Sequence, residues 1–456
     1  MLVRSNSEPD RVSAEFDSDF RLARTLYYVG MAFVAAGAVR LVPDLDLSDC
    51  FLLASLVVAT VGVVMRRPRM NLAFPKPFLF GFAVFSLGAV CTLPVAFYPL
   101  ESAGAFARFT FTTVVWFGLG AVVLRSRRHV EIAIGAWIVS VAVSGLGAIA
   151  QVALGPNVFA FFTTVSKVAG AGQNVSFVGR EIGLSGHPND LGGAAAVAVP
   201  PAILFAMEGA RTSVKRFAFI GLLCLVFACI ILSGSVTAFA AGVVGAVTYL
   251  VISRISTRQL VGVIIMTLLA GASLVLINQS GSSSVATPLD RVAQTLGPTN
   301  APDATAFARL NLDAIAWDQI VRSPIYGVGL DGASNAEALG GMQVHNMFLF
   351  AWVGAGIFGF LGLLTMVVSL LASNLSAYRR SVSRQEGLLV LALGISFMSF
   401  VIVTLAQPVL FIRYGWVPAA LFLPVRALQR ARDQGIRPEV ALNQGILAHR
   451  HSKSLS

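Results

Sequence analysis

Charge is scarce in this chain. Only 12% of its 456 residues are Asp, Glu, Lys or Arg, against about 25% in soluble proteins. Hydrophobic residues make up 56%, a balance that excludes an ordinary soluble domain. Cysteine is scarce too. Cys50, Cys91, Cys224 and Cys229 all lie in or beside apolar runs, so they give neither a disulfide framework nor a metal-ligand spacing. Cys224 and Cys229 read as small apolar packing residues. Carboxylates do not cluster, so no hard-cation site is expected. The first 24 residues contain no apolar run, so no cleavable signal peptide is expected there.

What the chain has is apolar blocks of roughly 17 to 25 residues, the length that crosses a bilayer as a helix. About twelve such spans are predicted, near 25–42, 50–65, 77–98, 105–124, 132–154, 190–207, 217–233, 236–252, 260–277, 346–370, 388–405 and 414–428. The expectation is an all-α polytopic membrane protein. A single transmembrane domain, 25–428, lies between an N-terminal tail, 1–24, and a basic C-terminal tail, 429–456. Pro418 and Pro424 interrupt the last span, and Ser233-Gly234-Ser235 makes the seventh and eighth a tight hairpin.

The net charge of +11 is a topology signal rather than a nucleic-acid footprint. Lys and Arg concentrate in the two tails and in alternate connections: Arg66, Arg67, Arg69 and Lys76; Arg125, Arg127 and Arg128; Arg211, Lys215 and Arg216; Arg254 and Arg258; Arg379, Arg380 and Arg384. By the positive-inside rule both termini are then cytoplasmic. The basic tail is either simply solvated or in contact with anionic lipid.

Two long connections fall on the outer side, about 155–189 and 278–345. The second opens on Ser280-Gly-Ser-Ser-Ser284 and then shows a helical period at Phe307, Leu310, Ala314, Trp317, Ile320 and Val321, stopped by Pro324. The first closes on Arg180-Glu181-Ile-Gly183-Leu-Ser-Gly186-His187-Pro188-Asn189-Asp190. Asn189 or Asp190 suits a helix N-cap. Arg180, one of few outer cations, suits an anion. Arg309 suits an anion as well, or a surface pair with Asp313, and Arg322 suits a helix C-terminus. His345 and Asn346 stand where the second loop meets the next span. Gly327 and Gly329 allow either a close ligand or a sharp chain path.

At these residues the chain resembles the O-antigen ligase and O-antigen polymerase superfamily of bacterial envelope glycosyltransferases. Arg180 with Gly183-Leu-Ser-Gly186-His187-Pro188-Asn189 is similar to the family's Arg–Gly–Pro-Asn segment. Arg309, Trp317 and Pro324-Ile-Tyr-Gly327-Val-Gly329 follow, and then His345-Asn346 with Leu349 and Gly354-Ala-Gly356-Ile-Phe-Gly359. One departure stands out. The family often places a Ser-Arg pair directly after the seventh span; here Ser233-Gly234-Ser235-Val236 stands there. Other donors, such as Ser233, Ser235 or Arg413, would have to serve.

The resemblance implies an architecture like that of GT-C-type membrane glycosyltransferases, in a bacterial cytoplasmic (inner) membrane, with the active site on the outer face. It implies transfer of a saccharide from an undecaprenyl-diphosphate-linked donor to a glycan or glycolipid acceptor, without metal or cofactor. Arg180 and Arg309 would bind the donor diphosphate and His345 would be the base, or would instead hold the sugar or the diphosphate, with His187, Asn189, Asn346, Gly327 and Gly329 in support. A repeat-unit polymerase is the alternative. A lipid-linked sugar flippase shares the same partners, and a secondary transporter would need intramembrane ionisable residues, of which these spans carry few, such as Arg40 and Arg108 near span ends.

Overall fold

A computed structural model describes residues 20–42, 45–66, 72–155, 158, 180–208, 213–254, 286–296, 304–408 and 410–434. The helices are α1 (Arg21–Ala32), α2 (Leu47–Arg66), α3 (Lys76–Thr92), α4 (Pro99–Thr110), α5 (Trp116–Val123), α6 (Arg127–Leu154), α7 (Pro188–Glu208), α8 (Ser213–Leu232), α9 (Val236–Ile252), α10 (Pro288–Leu296), α11 (Ala304–Arg322), α12 (Gly332–Ala338), α13 (Met347–Arg379), α14 (Arg384–Thr404) and α15 (Arg413–Asp433). A small antiparallel hairpin, β1 (Arg40–Val42) and β2 (Leu45–Asp46), is the one sheet among the described residues.

Eight helices among these residues are long and apolar enough to cross a membrane; one of them, Pro99–Val123, joins α4 to α5 through a π-turn at Phe111–Val115. Thr112 and Thr113 bond back to the carbonyls of Arg108 and Phe109 there, a competition that widens helical turns. α9 is apolar but only 17 residues long. The expected span at 260–277 lies outside the described residues. The expected first span, 25–42, is corrected: α1 is 12 residues long and stops at Ala32. Beyond it the backbone amides leave the helical ladder, Ala35 N donating to Ser140 Oγ and Ala38 N to the Leu184 carbonyl.

α7 is the centre of the bundle, with 83% of its spanning stretch buried. Its run Gly192-Gly-Ala-Ala-Ala-Val-Ala lets neighbouring backbones approach closely. Pro201 cannot donate to the Val197 carbonyl; the Ser396 hydroxyl takes that carbonyl instead, at 2.6 Å, and so ties α14 to α7. Trp416 of α15 sits among Phe109, Phe117, Phe397 and Phe400, with ring centroids 5.3–6.2 Å away. α3 and α13 touch through glycines: a Cβ on Gly88 would lie 2.5 Å from the Ala355 carbonyl oxygen, and one on Gly362 2.4 Å from the Phe85 amide.

The two ends of the bundle differ chemically. One gathers the starts of α2, α4, α7, α9, α13 and α15. The other carries Arg125, Arg127, Arg128, Lys215, Arg216, Arg254, Arg379, Arg380, Arg384, Arg426, Arg430 and Arg432.

Candidate active site

Every sequence-selected residue with a described side chain lies at the first of these ends. The segment 180–187 reaches α7 over α6, and two buried side chains of α6 satisfy its backbone. Gln151 Oε1 accepts from the amides of Ile182 (3.2 Å) and Gly183 (2.8 Å), and Ser144 Oγ accepts from Leu184 (3.0 Å). Gly183 has φ +54°, and a Cβ there would sit 2.3 Å from the Ser144 carbonyl oxygen, so only glycine fits this turn. α7 then begins with Pro188 at its first position, as suits a residue without an N–H. The expected cap at Asn189 or Asp190 is corrected: His187 precedes the helix, and its Nδ1 accepts from the Asn189 amide at 3.0 Å. Asn189 is thereby left to orient Arg180.

Arg180 spans two elements. Its Nε donates to the Ser233 carbonyl at 2.8 Å, and an Nη donates to Asn189 Oδ1. Beside it Glu181 N donates to the Leu232 carbonyl at 3.0 Å. Burial pushes the Glu181 carboxyl above its usual range. Arg180 therefore lies across the α8–α9 turn, where Gly234 takes φ +60°.

The two serines of that turn are buried and engaged. Ser233 donates its hydroxyl to the Ile230 carbonyl, and Ser235 caps α9 by accepting from Ala238 N. Arg413 is engaged as well, paired with both Asp46 and Asp49. Burial raises the Asp46 carboxyl above its usual range, a shift that Arg413 offsets only in part. The expected substitutes for the missing family arginine are thus largely committed to the fold.

A cation does reach the turn from elsewhere. Arg291, on α10, donates from Nη1 to the Gly234 carbonyl at 3.4 Å. Sequence reasoning missed it, although a signal was present. Thr287-Pro288-Leu289-Asp290 is a capping box with proline at the first helical position. Both reciprocal bonds form, Thr287 N to Asp290 Oδ2 at 2.9 Å and Asp290 N to Thr287 Oγ1 at 3.2 Å.

His345 comes just before α13. The Val344 amide is held by Asn335 Oδ1 at 3.2 Å, and Asn346 Oδ1 caps the helix by accepting from Phe348 N (2.9 Å) and Leu349 N (3.2 Å). The half-buried His345 ring places Nδ1 3.0 Å from the Gln343 carbonyl. A carbonyl only accepts, so Nδ1 carries the proton of the neutral ring and Nε2 is its basic nitrogen.

Gly327 and Gly329 serve the chain path. Val328 N and Gly329 N donate to the carbonyls of Val353 and Gly354, at 2.9 and 3.1 Å, where α13 kinks at Ala355 and Gly356. The strap 324–329 thus holds the kinked half of α13. α11 lies alongside, with Trp317 edge-on to Trp352 at 5.9 Å. Arg309 lies on α11, but its side chain falls outside the described part of the structure.

The structure joins Arg180, His187, Asn189 and the α8–α9 turn directly. The start of α13 is linked to them through the start of α15: Phe350 meets Phe411 edge-on at 6.1 Å. Gly193 of α7, in turn, leaves room for Tyr414, whose oxygen is 2.5 Å from where a Cβ would sit. Among the described residues no three His, Cys, Asp or Glu side chains gather as a metal site.

No curated protein matches the chain significantly. A family model does match, over residues 220–364, about a third of the chain. The matched stretch takes in the α8–α9 turn, α10, α11, the strap, His345-Asn346 and the kink of α13. Over this segment the chain is similar to the family described as O-Antigen ligase.

Proposed function

We propose that this protein transfers a saccharide from an undecaprenyl-diphosphate-linked donor to a hydroxyl of a glycan or glycolipid acceptor. The observation that carries this reading is the convergence of two guanidinium groups on one turn. Arg180 holds the Ser233 carbonyl and Arg291 the adjoining Gly234 carbonyl, beside the N-termini of α7 and α9. Guanidinium groups and helix N-termini are what a diphosphate calls for. Arg309, on α11, adds a third cation in this reading.

In the reaction the bond between the anomeric carbon and the diphosphate oxygen breaks, and the acceptor oxygen forms the new glycosidic bond. The electron pair of the broken bond leaves on the diphosphate, where the arginines stabilise the developing charge without a metal. The acceptor proton passes to His345 Nε2. Asn189 fixes the direction of Arg180, and Asn346 fixes the start of α13 behind His345. The basic end of the bundle faces the cytoplasm by the positive-inside rule, which puts this chemistry at the outer face of the bacterial inner membrane, where headgroup and prenyl chain part company.

The test is the surface glycan of a strain lacking the gene, with the full chain restored as control. Loss of glycan attachment with accumulation of long lipid-linked polymer identifies a ligase. Accumulation of single lipid-linked repeats identifies a repeat-unit polymerase. An unaltered glycan profile would contradict glycan transfer.

A further inference from the structure

The basic end of the bundle, remote from the site, contains a cation cluster with unfilled donors. α15 finishes there against the turn between α13 and α14. Gln429 donates to the Ala377 carbonyl at 3.3 Å and to Glu386 Oε1 at 2.7 Å, while Arg432 donates to Glu386 Oε2 at 2.8 Å. Both oxygens of Glu386 are thereby engaged. Arg426 lies one turn deeper and is only 9% exposed. Its Nε and Nη1 are buried and meet no acceptor among the described residues. The charged groups that act on it most strongly are Arg430 and Arg380, both of its own sign.

Such an arrangement is unfavourable by itself. A guanidinium cannot shed its proton as a buried lysine can. A buried cation needs both a counter-charge and acceptors for its N–H groups. One species supplies both at once: an oxyanion with several lone pairs that fits the planar fork, as phosphate does. The place agrees with the chemistry, since cations at the ends of spanning helices stand at the level of lipid headgroups.

We propose that Arg426, Arg430 and Arg380 form a binding site for a phosphate group at the basic end of the bundle. An anionic lipid headgroup and free phosphate share this chemistry. The site is separate from the α8–α9 turn and does not depend on the transfer reaction.

The test uses the full chain in phosphatidylcholine nanodiscs. Phosphatidylglycerol is titrated in one arm and inorganic phosphate in another, with melting midpoint and lipid retention by native mass spectrometry as readouts. Wild type should gain thermal stability with the anion. Arg426→Gln should retain phosphatidylglycerol about tenfold less or weaker, the factor carried by a lost charge-assisted hydrogen bond. Arg430→Gln should weaken retention in the same direction, and it carries the test if Arg426→Gln does not insert. Arg216→Gln, basic but outside the cluster, should behave as wild type. Stabilisation by phosphatidylglycerol alone assigns the site to lipid, and stabilisation by inorganic phosphate alone assigns it to a soluble anion. No stabilisation by either, or undiminished retention in both cluster variants, would overturn the proposal.

Discussion

Replacing Gly327 by alanine tests how the strap holds the kinked half of α13. A Cβ at this position would lie 2.2 Å from the Gly354 carbonyl carbon and oxygen and 2.5 Å from the Ala355 nitrogen. Relaxed carbon contacts begin near 3.5 Å, so the strap would have to withdraw by about 1 Å. Three bonds then fail together: Val328 N to Val353 O (2.9 Å), Gly329 N to Gly354 O (3.1 Å) and Ile357 N to Pro324 O (3.0 Å). Each buried amide left unsatisfied costs about 1–3 kcal/mol, so the loss is several kcal/mol, a large part of a typical native stability of about 5–15 kcal/mol. The assay is thermal unfolding in detergent, followed by tryptophan fluorescence. Gly135→Ala serves as control, because a Cβ there meets nothing within 4 Å; as a helix-interior change it should gain up to about 1 kcal/mol. Equal melting midpoints for Gly327→Ala and wild type would refute the backbone-to-backbone account of the strap.

Three further variants probe the groups around the site. Burial raises the folded pKa of Glu181 above 4.5, so the native state holds its proton longer than the unfolded chain; this contribution is complete below 4.5 and declines as pH rises through the folded value. Glu181→Gln should therefore match wild type in acid and exceed its melting midpoint at neutral pH, and a less stable variant at pH 7 would count against the burial argument. Arg413→Gln leaves Asp46 and Asp49, each 6% exposed, facing one another without a cation; a loss of about 3–5 kcal/mol is expected, partly recovered at acid pH, and an unchanged midpoint at pH 7 would contradict it. Asn346→Ala removes the cap of α13 and should cost about 1 kcal/mol, with faster hydrogen exchange at Phe348 and Leu349; unchanged exchange there would show that the cap does not hold these amides.

Much of the bundle was legible because apolar length and turn chemistry are local signals. Pro324 stops the helix of the second long loop at Arg322, as its spacing indicated. What escaped notice depends on partners far away in sequence. The apolar run after Ala32 looked helical, yet Ser140 and Leu184 take its amides. Gly327 and Gly329 read equally well as ligand-facing or path-forming until the α13 kink showed what lies against them. Arg413 looked available as a donor, but Asp46 and Asp49, more than 360 positions away, claim it. Arg291 stands on a short helix signalled only by its capping box, and the Gly234 carbonyl that it reaches lies 57 positions away in sequence.

The most direct test of the central claim separates donor binding from turnover in one purified preparation. Retention of an undecaprenyl-diphosphate-linked saccharide and its transfer to acceptor are measured for wild type, Arg180→Ala, Arg291→Ala and His345→Gln. The account predicts that both arginine variants lose donor retention, whereas His345→Gln keeps the donor and loses turnover by about 10²- to 10⁴-fold. Normal donor retention in both arginine variants, or wild-type turnover by His345→Gln, would contradict it.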